Sequence, residues 1–296
     1  MRTRFLIHSW RCVISICALS ACENSLEPLT EDAELLVFIN GFLDTADNTQ
    51  LIRLNGLRPN ILADYRGLDD AIVRTLDLTS GTEEIWKDST VVLDSGENGT
   101  VYIGEFKPQE GHIYDLIVQR PGYEPSKART AVPAEPDIIT EEPVRVLNQL
   151  TQGVLNQLTQ QVWLNGVHRT PGSLVIKYDV YVPETGLVET FSISPSRDGI
   201  DTSNGWNFEA NLYRDQQIIN FQLNRLTTDP PLGLRRIAVV TSIKSDEWYT
   251  QFDPENLTFA LGFFGSVGRF DISWMLKADA VEKMGFTDQQ HLSQSK

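Results

Sequence analysis

Apolar residues along the chain fall in short runs, and clusters of Asp, Asn, Gly, Ser and Pro interrupt them about every ten residues. That spacing predicts short strands joined by turns rather than long helices. In the first half, strands are expected at 34–43, 71–78, 84–87, 89–93, 100–106 and 112–118, with 44–48 and 94–99 as turns. In the second half they are expected at 162–164, 173–182, 186–193, 206–213, 218–223, 234–243, 257–261 and 270–276. The strict alternation of Ile176, Tyr178, Val180 and Val182 with Lys177, Asp179 and Tyr181 marks a sheet with one wet face. A short helix is expected over 278–284.

This pattern predicts an all-β fold of two β-sandwich-like domains. The first spans 34–133 and is expected to be an immunoglobulin- or transthyretin-like sandwich, because Tyr114-x-Leu116-x-Val118 before Gly122-Tyr123 resembles the closing hairpin of transthyretin-like or carboxypeptidase-regulatory sandwiches. The second is a β-rich domain over 162–286, followed by a polar, disordered tail over 287–296. Between them, 134–161 reads as a Pro- and Gln-rich linker. It holds a tandem repeat, Val-Leu-Asn-Gln-Leu-Thr-Gln at 146–152 and again at 154–160. Two copies are too few for a solenoid. A helix would align Leu147, Leu150, Val154 and Leu158 as a partner-binding stripe, whereas a local duplication tolerated in a connector requires no function.

The first 33 residues have a different texture. Arg2, Arg4 and Arg11 precede a short apolar run that ends in Leu19-Ser20-Ala21-Cys22. The run is shorter than the roughly 20 apolar residues needed to span a bilayer and has the length of a signal-peptide core. We therefore expect a lipoprotein signal peptide over 1–21, cleavage between Ala21 and Cys22, and lipid on the Cys22 thiol. A polar tether would follow over 22–33. The three cysteines are Cys12, Cys17 and Cys22, so a chain cut at this point keeps one thiol and forms no internal disulfide. Attachment to a membrane would then rest on several acyl chains at Cys22, because one chain anchors only marginally.

The formal net charge is −15, and removing residues 1–21 leaves 22 basic and 40 acidic side chains. Such a surface repels phosphates, so no nucleic-acid partner is expected. No zinc-protease helix, nucleophile elbow, phosphate loop or dinucleotide fingerprint occurs in the sequence, and no catalytic residue, cofactor or metal is assigned. His112, His168 and His291 are scattered and read as loop or surface residues. The acidic loops 44–48 and 198–204 have calcium-like donors but no EF-hand register, and their residue types are those of ordinary turns. Trp163, Trp206, Trp248 and Trp274 fit either a ligand platform or half-buried strand positions.

A lipobox, the first strand, the stretch 111–133, Thr241-Ser-Ile-Lys-Ser-Asp-Glu-Trp-Tyr249 and Gly262-Phe-Phe-Gly-Ser-Val-Gly-Arg-Phe270 follow one another along the chain. This order resembles a Bacteroidota cell-envelope lipoprotein family known by its domain of unknown function 4249. The resemblance implies an outer-membrane lipoprotein, not an enzyme, working as an accessory beside a TonB-dependent transporter. It supplies no active-site residue. The alternative is a surface glycan-binding protein or hydrolase with a site assembled from loops.

Overall fold

The computed structural model describes residues 37–56, 68, 70–92, 98–147, 156–226, 228–250 and 255–293. Ala21, Cys22, the tether and the central part of the tandem repeat lie outside the described residues. The first half supplies β1 (Val37–Asp44), β2 (Gln50–Gly56), β3 (Ile72–Asp77), β4 (Glu83–Ile85), β5 (Lys87–Val92), β6 (Asn98–Gly104), β7 (Ile113–Gln119) and β8 (Ser126–Ala131). The middle supplies β9 (Ile138–Thr140), β10 (Val144–Leu147) and β11 (Asn156–Asn165). Next come β12 (Ser173–Val182), β13 (Leu187–Ile193), β14 (Ile200–Thr202), β15 (Gly205–Asn211) and helix α1 (Leu212–Gln222). The chain continues through β16 (Leu232–Lys244), β17 (Leu257–Thr258), β18 (Ala260–Trp274), helix α2 (Ala278–Met284) and β19 (Phe286–Asp288). Single 3₁₀ turns occur at Asp246–Trp248 and Gln290–Ser293.

The fold is all-β, with the strands in three sheets. The largest runs β13-β12-β16-β18-β1-β2-β6-β5, with β19 beside β16. A second runs β17-β8-β7-β3-β4, and a third runs β10-β11-β15-β14 with β9 beside β11. Among the described residues there are two hydrophobic cores. One gathers Ile39, Leu54, Tyr102, Leu116 and Phe264 between the first two sheets. The other gathers Ile176, Tyr178, Phe208, Val239 and Trp274 between the large sheet and the third, closed by Ile219 of α1 and Val281 of α2.

One strand serves both cores. The first half of β18, Ala260 to Val267, runs parallel to β1, and its second half, Val267 to Trp274, runs antiparallel to β16. The sequence pattern predicts separate strands at 257–261 and 270–276, because the intervening Gly262, Gly265 and Gly268 resemble turn punctuation. Instead, Gly262 sits at φ +103°, and a Cβ there would lie 2.1 Å from the Ile39 carbonyl oxygen. The glycine lets β18 approach β1 and does not break the strand. At the end of β1, Asp44 receives a forked ion pair from Arg269 (Nη2 to Oδ2 2.7 Å, Nε to Oδ2 2.9 Å), which pins the parallel register.

Other elements differ from expectation for local reasons. Residues 218–223 are not a strand but lie largely in α1, where the Asn211 side chain accepts from the Arg214 amide and Leu212, Asp215 and Ile219 turn inward at helical spacing. β2 has no expected counterpart because it opens on polar Gln50. That side chain is buried, accepting from the Asp44 amide (2.8 Å) and donating to the Asp47 carbonyl (2.7 Å) to close the β1–β2 turn. The stretch 134–161 is more than a connector, since β9 and β10 both pair with β11. The outer ends of the tandem repeat face each other as strands, Val146 against Gln157 and Leu147 against Asn156, so its described parts form a β pairing and not a helical stripe. The tail expected to be disordered over 287–296 is built into the fold as far as Ser293. The buried Gln290 amide accepts from the Leu276 N–H and donates to its carbonyl, each at 3.0 Å. Helix α2 and strand β12 occupy the expected residues.

Candidate functional site

The sequence candidates within the described residues are held by neighbours. His112 Nδ1 lies 2.8 Å from Asp77 Oδ2, and the same carboxylate takes the Ser80 hydroxyl (2.7 Å) and the Thr79 amide (2.9 Å). Burial pushes the Asp77 carboxyl up, but His112, Ser80 and the two turn amides outweigh it and bring the pKa down to about 2. This cluster fastens the β3–β4 turn. His168 Nδ1 lies 3.1 Å from Asp201 of the 198–204 loop, and His291 is exposed. In the 44–48 loop, the Asp44 carboxylate binds Arg269 and the Ala46 amide. No group of three or more His, Cys, Asp or Glu among the described residues is placed to hold a metal ion.

A cleft of about 730 Å³ opens where the two halves of the molecule meet. Three pieces of chain line it: the exit from β8 (Ala131 to Pro136), the turn after β11 (Asn165 to Arg169) and the end of β16 with its 3₁₀ turn (Ile243 to Glu247). Beneath it lies a cluster of buried hydroxyls. Thr130 Oγ1 is within hydrogen-bond distance of Ser266 Oγ and Glu247 Oε2 (3.1 Å each) and of Ser245 Oγ (3.3 Å). Ser245 Oγ also accepts the Ser266 amide (2.9 Å), and Ser266 Oγ donates to the Ala131 carbonyl (2.9 Å). The stretches 241–249 and 262–270 therefore meet through Ser245 and Ser266. At the rim, Arg169 donates to Asp246 (3.1 Å) and lies 4.4 Å above the Tyr249 ring.

The same 3₁₀ turn has a second side. Asp246 and Glu247 line the cleft, while Trp248 lies on the outer face of the large sheet. Its ring meets Phe42 at 5.4 Å and Phe263 at 4.7 Å, both edge-to-face, and its Nε1 donates to the Ser266 carbonyl (2.9 Å). Gly265 makes room for it, since a Cβ there would come within 3.1 Å of Trp248 Nε1 and 2.7 Å of the Phe263 ring. Phe42 continues laterally into Leu51 and then Ile103, and Phe38 pairs with Leu261 one step along. Phe38 and Phe42 are each 38% exposed, Leu261 41% and Leu51 55%. Farther along, the same outer face is polar. Asp271 binds Arg236 (2.5 Å) and Lys177 (3.0 Å), and Asp179 accepts from Thr190 (2.7 Å). One face of one sheet therefore carries ion pairs across β12, β16 and the end of β18 and is largely apolar across β1, β2 and β6. Of the four tryptophans weighed as a platform, Trp248 reaches this face, and Trp274 is buried in the second core with Nε1 on Gln160 (3.0 Å).

Sequence reasoning missed a buried polar pair. Tyr178 donates to Asp215 Oδ2 (2.8 Å), and Arg214 Nε donates to Oδ1 (2.9 Å). Burial raises the Asp215 carboxyl even against those two hydrogen bonds, and burial beside that carboxylate raises the Tyr178 phenol well above its ordinary value. The pair lies within the second core, away from the residues that line the cleft described above, and holds the N-terminal turn of α1 against β12. Asp215 gave no sequence signal, because it falls among residues that read as a loop before a strand.

No helix among the described residues is long and apolar enough to cross a membrane. No family model matches the chain, and no curated protein matches it. Among solved structures, the crystal structure of bovine butyrophilin is similar at 10% identity over 81% of this chain and 99% of that one. Its TM-score of 0.19 is too low to bear on the architecture or function of this protein.

Proposed function

We propose that the protein is a lipid-anchored binding component of a bacterial cell envelope. It would be held on the outer membrane through Cys22 and would work, without chemistry of its own, beside a TonB-dependent transporter. The observation that carries this reading is Leu19-Ser20-Ala21-Cys22 at the end of a short apolar run, with no other thiol beyond it. The site geometry is compatible with binding. The hydroxyls beneath the inter-module cleft are committed to one another, to backbone and to Glu247, so none stands beside a histidine base as a nucleophile. Expression in a Gram-negative host with an alkyne palmitate analogue tests the anchor. The wild type should be labelled and Cys22→Ser should not; labelling of the mutant would end the proposal. Extraction in mild detergent should then recover a transporter in stoichiometric amount.

One observation favours a second reading, a glycan-binding protein or loop-assembled hydrolase: Glu135, Asp246 and Glu247 line the same cleft. If that reading holds, the purified protein should bind or hydrolyse an oligosaccharide, and Glu247→Gln should abolish the effect. An unchanged response in that variant would exclude it.

A further inference from the structure

We infer that the apolar half of the large sheet's outer face lies against the lipid surface to which the chain is tethered. This inference rests on the proposal that Cys22 carries lipid. Three observations converge on it. First, the strand joined to the tether is the strand that bears the face: Phe38 is the second residue of β1, and Phe42 follows on the same side. Residues 22–36 can span at most about 50 Å, so the anchor keeps this face within a short distance of the bilayer and at high effective concentration.

Second, the charges along the cross-strand rows from Phe263 to Ser89 and from Gly265 to Lys87 are basic, while Glu105, hydrogen-bonded to Thr49, and Asp44, paired with Arg269, mark one end of the face. Lys87 is cross-strand to Ile103, Arg53 is cross-strand to Asn40, and Lys244 Nζ lies 4.8 Å over the Trp248 ring. In a chain with a formal charge of −15, a face bearing Lys and Arg and no carboxylate between Phe263 and Ser89 is a local reversal. Long basic side chains around an apolar centre suit a bilayer interface, where the stems lie in the apolar layer and the heads reach phosphates. Third, the face carries Trp and Phe in a mutually supporting cluster, the amphipathic and aromatic residue types favoured at the headgroup level. Next to it the same sheet face carries the Asp271–Arg236 and Asp271–Lys177 ion pairs, so the larger apolar cluster is the one on the half next to the tether, with Val188 an isolated exposed apolar residue at the far edge.

The absence of other thiols after Cys22 gives a clean test. Leu51→Cys labelled with an environment-sensitive fluorophore reports the face, and Ile85→Cys on β4 of the second sheet is the control. The lipidated protein is placed on phosphatidylethanolamine–phosphatidylglycerol vesicles with brominated acyl chains. The label at 51 should brighten several-fold and be quenched by bromine, while the label at 85 should do neither. Vesicle-bound protein with a silent label at 51 would overturn the inference. So would a response at 51 that needs only higher protein concentration, which would indicate a second copy. Crosslinking from 51 to an envelope protein without bromine quenching would also overturn it.

If instead the wild type carries no lipid and fails to float with vesicles, the anchoring proposal has failed, and the face is read separately. The chain begun at Glu23, which lacks Cys12, Cys17 and Cys22, should at high vesicle concentration still show the response at 51, and silence there would overturn the face. In that background, Phe38→Ser with Phe42→Ser should weaken vesicle partitioning about tenfold, given the apolar area removed. Both side chains point outward, so an unchanged partition coefficient in a variant with native circular dichroism would also overturn the inference.

Discussion

Asp77 shows how much one short turn can depend on a single carboxylate. Its folded pKa of about 2 lies below the ordinary 3.8, so it stabilises the fold fully above pH 4, and that contribution is lost as pH falls through about 2. The shift corresponds to roughly 2 kcal/mol. Urea unfolding between pH 5 and pH 2 should show this loss, and Asp77→Asn should flatten that part of the profile; an unaltered profile would exclude the assignment. Tyr178→Phe keeps the ring and removes only the hydroxyl donated to Asp215, so it should cost about 1–3 kcal/mol by leaving a buried carboxylate short of a partner. Equilibrium denaturation measures that cost. Neither residue could be read as special from the sequence. Asp77 sits beside Ser80 and Gly81, as any turn aspartate does, and its partner His112 comes from a distant strand.

At the scale of elements, alternation and turn chemistry made β12, β13, β7 and α2 legible to within a residue or two. What failed was the meaning of glycine and of polar residues inside strands. Gly262 and Gly265 read as breaks, yet one admits the Ile39 carbonyl and the other the Trp248 ring. Gly262→Ala should therefore cost at least about 2 kcal/mol, from the left-handed backbone and the clash together, while an alanine at exposed Gly81 should cost less. Thermal melting of the two variants compares them directly. The candidate face was hidden for the same reason. Phe38, Phe42, Leu51 and Leu261 are ordinary strand residues until the parallel pairing of β1 with β18, which no local pattern encodes, sets them side by side.

For the whole molecule, the two cores are separate but their sheet is shared. Phe264 belongs to the first core and Trp274 to the second, and both lie on β18. Cutting the chain after residue 133 would leave the first module without the strand that pairs with β1 and supplies Phe264 to its core. A fragment over 34–133 should stay unfolded by circular dichroism, and the full chain should melt in one calorimetric transition. Two resolved transitions would show that the modules stand independently.

Because Val37 pairs with Ala260, the first strand to leave the ribosome must wait for one of the last before it is paired on that side. Contacts so distant in sequence are slow to form and cannot form on a nascent chain. The first core would lack Phe264 and the β18 pairing throughout synthesis, although the pairings within residues 37–131 need nothing from β18. The arrival of β18 is then the step that commits both halves to their native form.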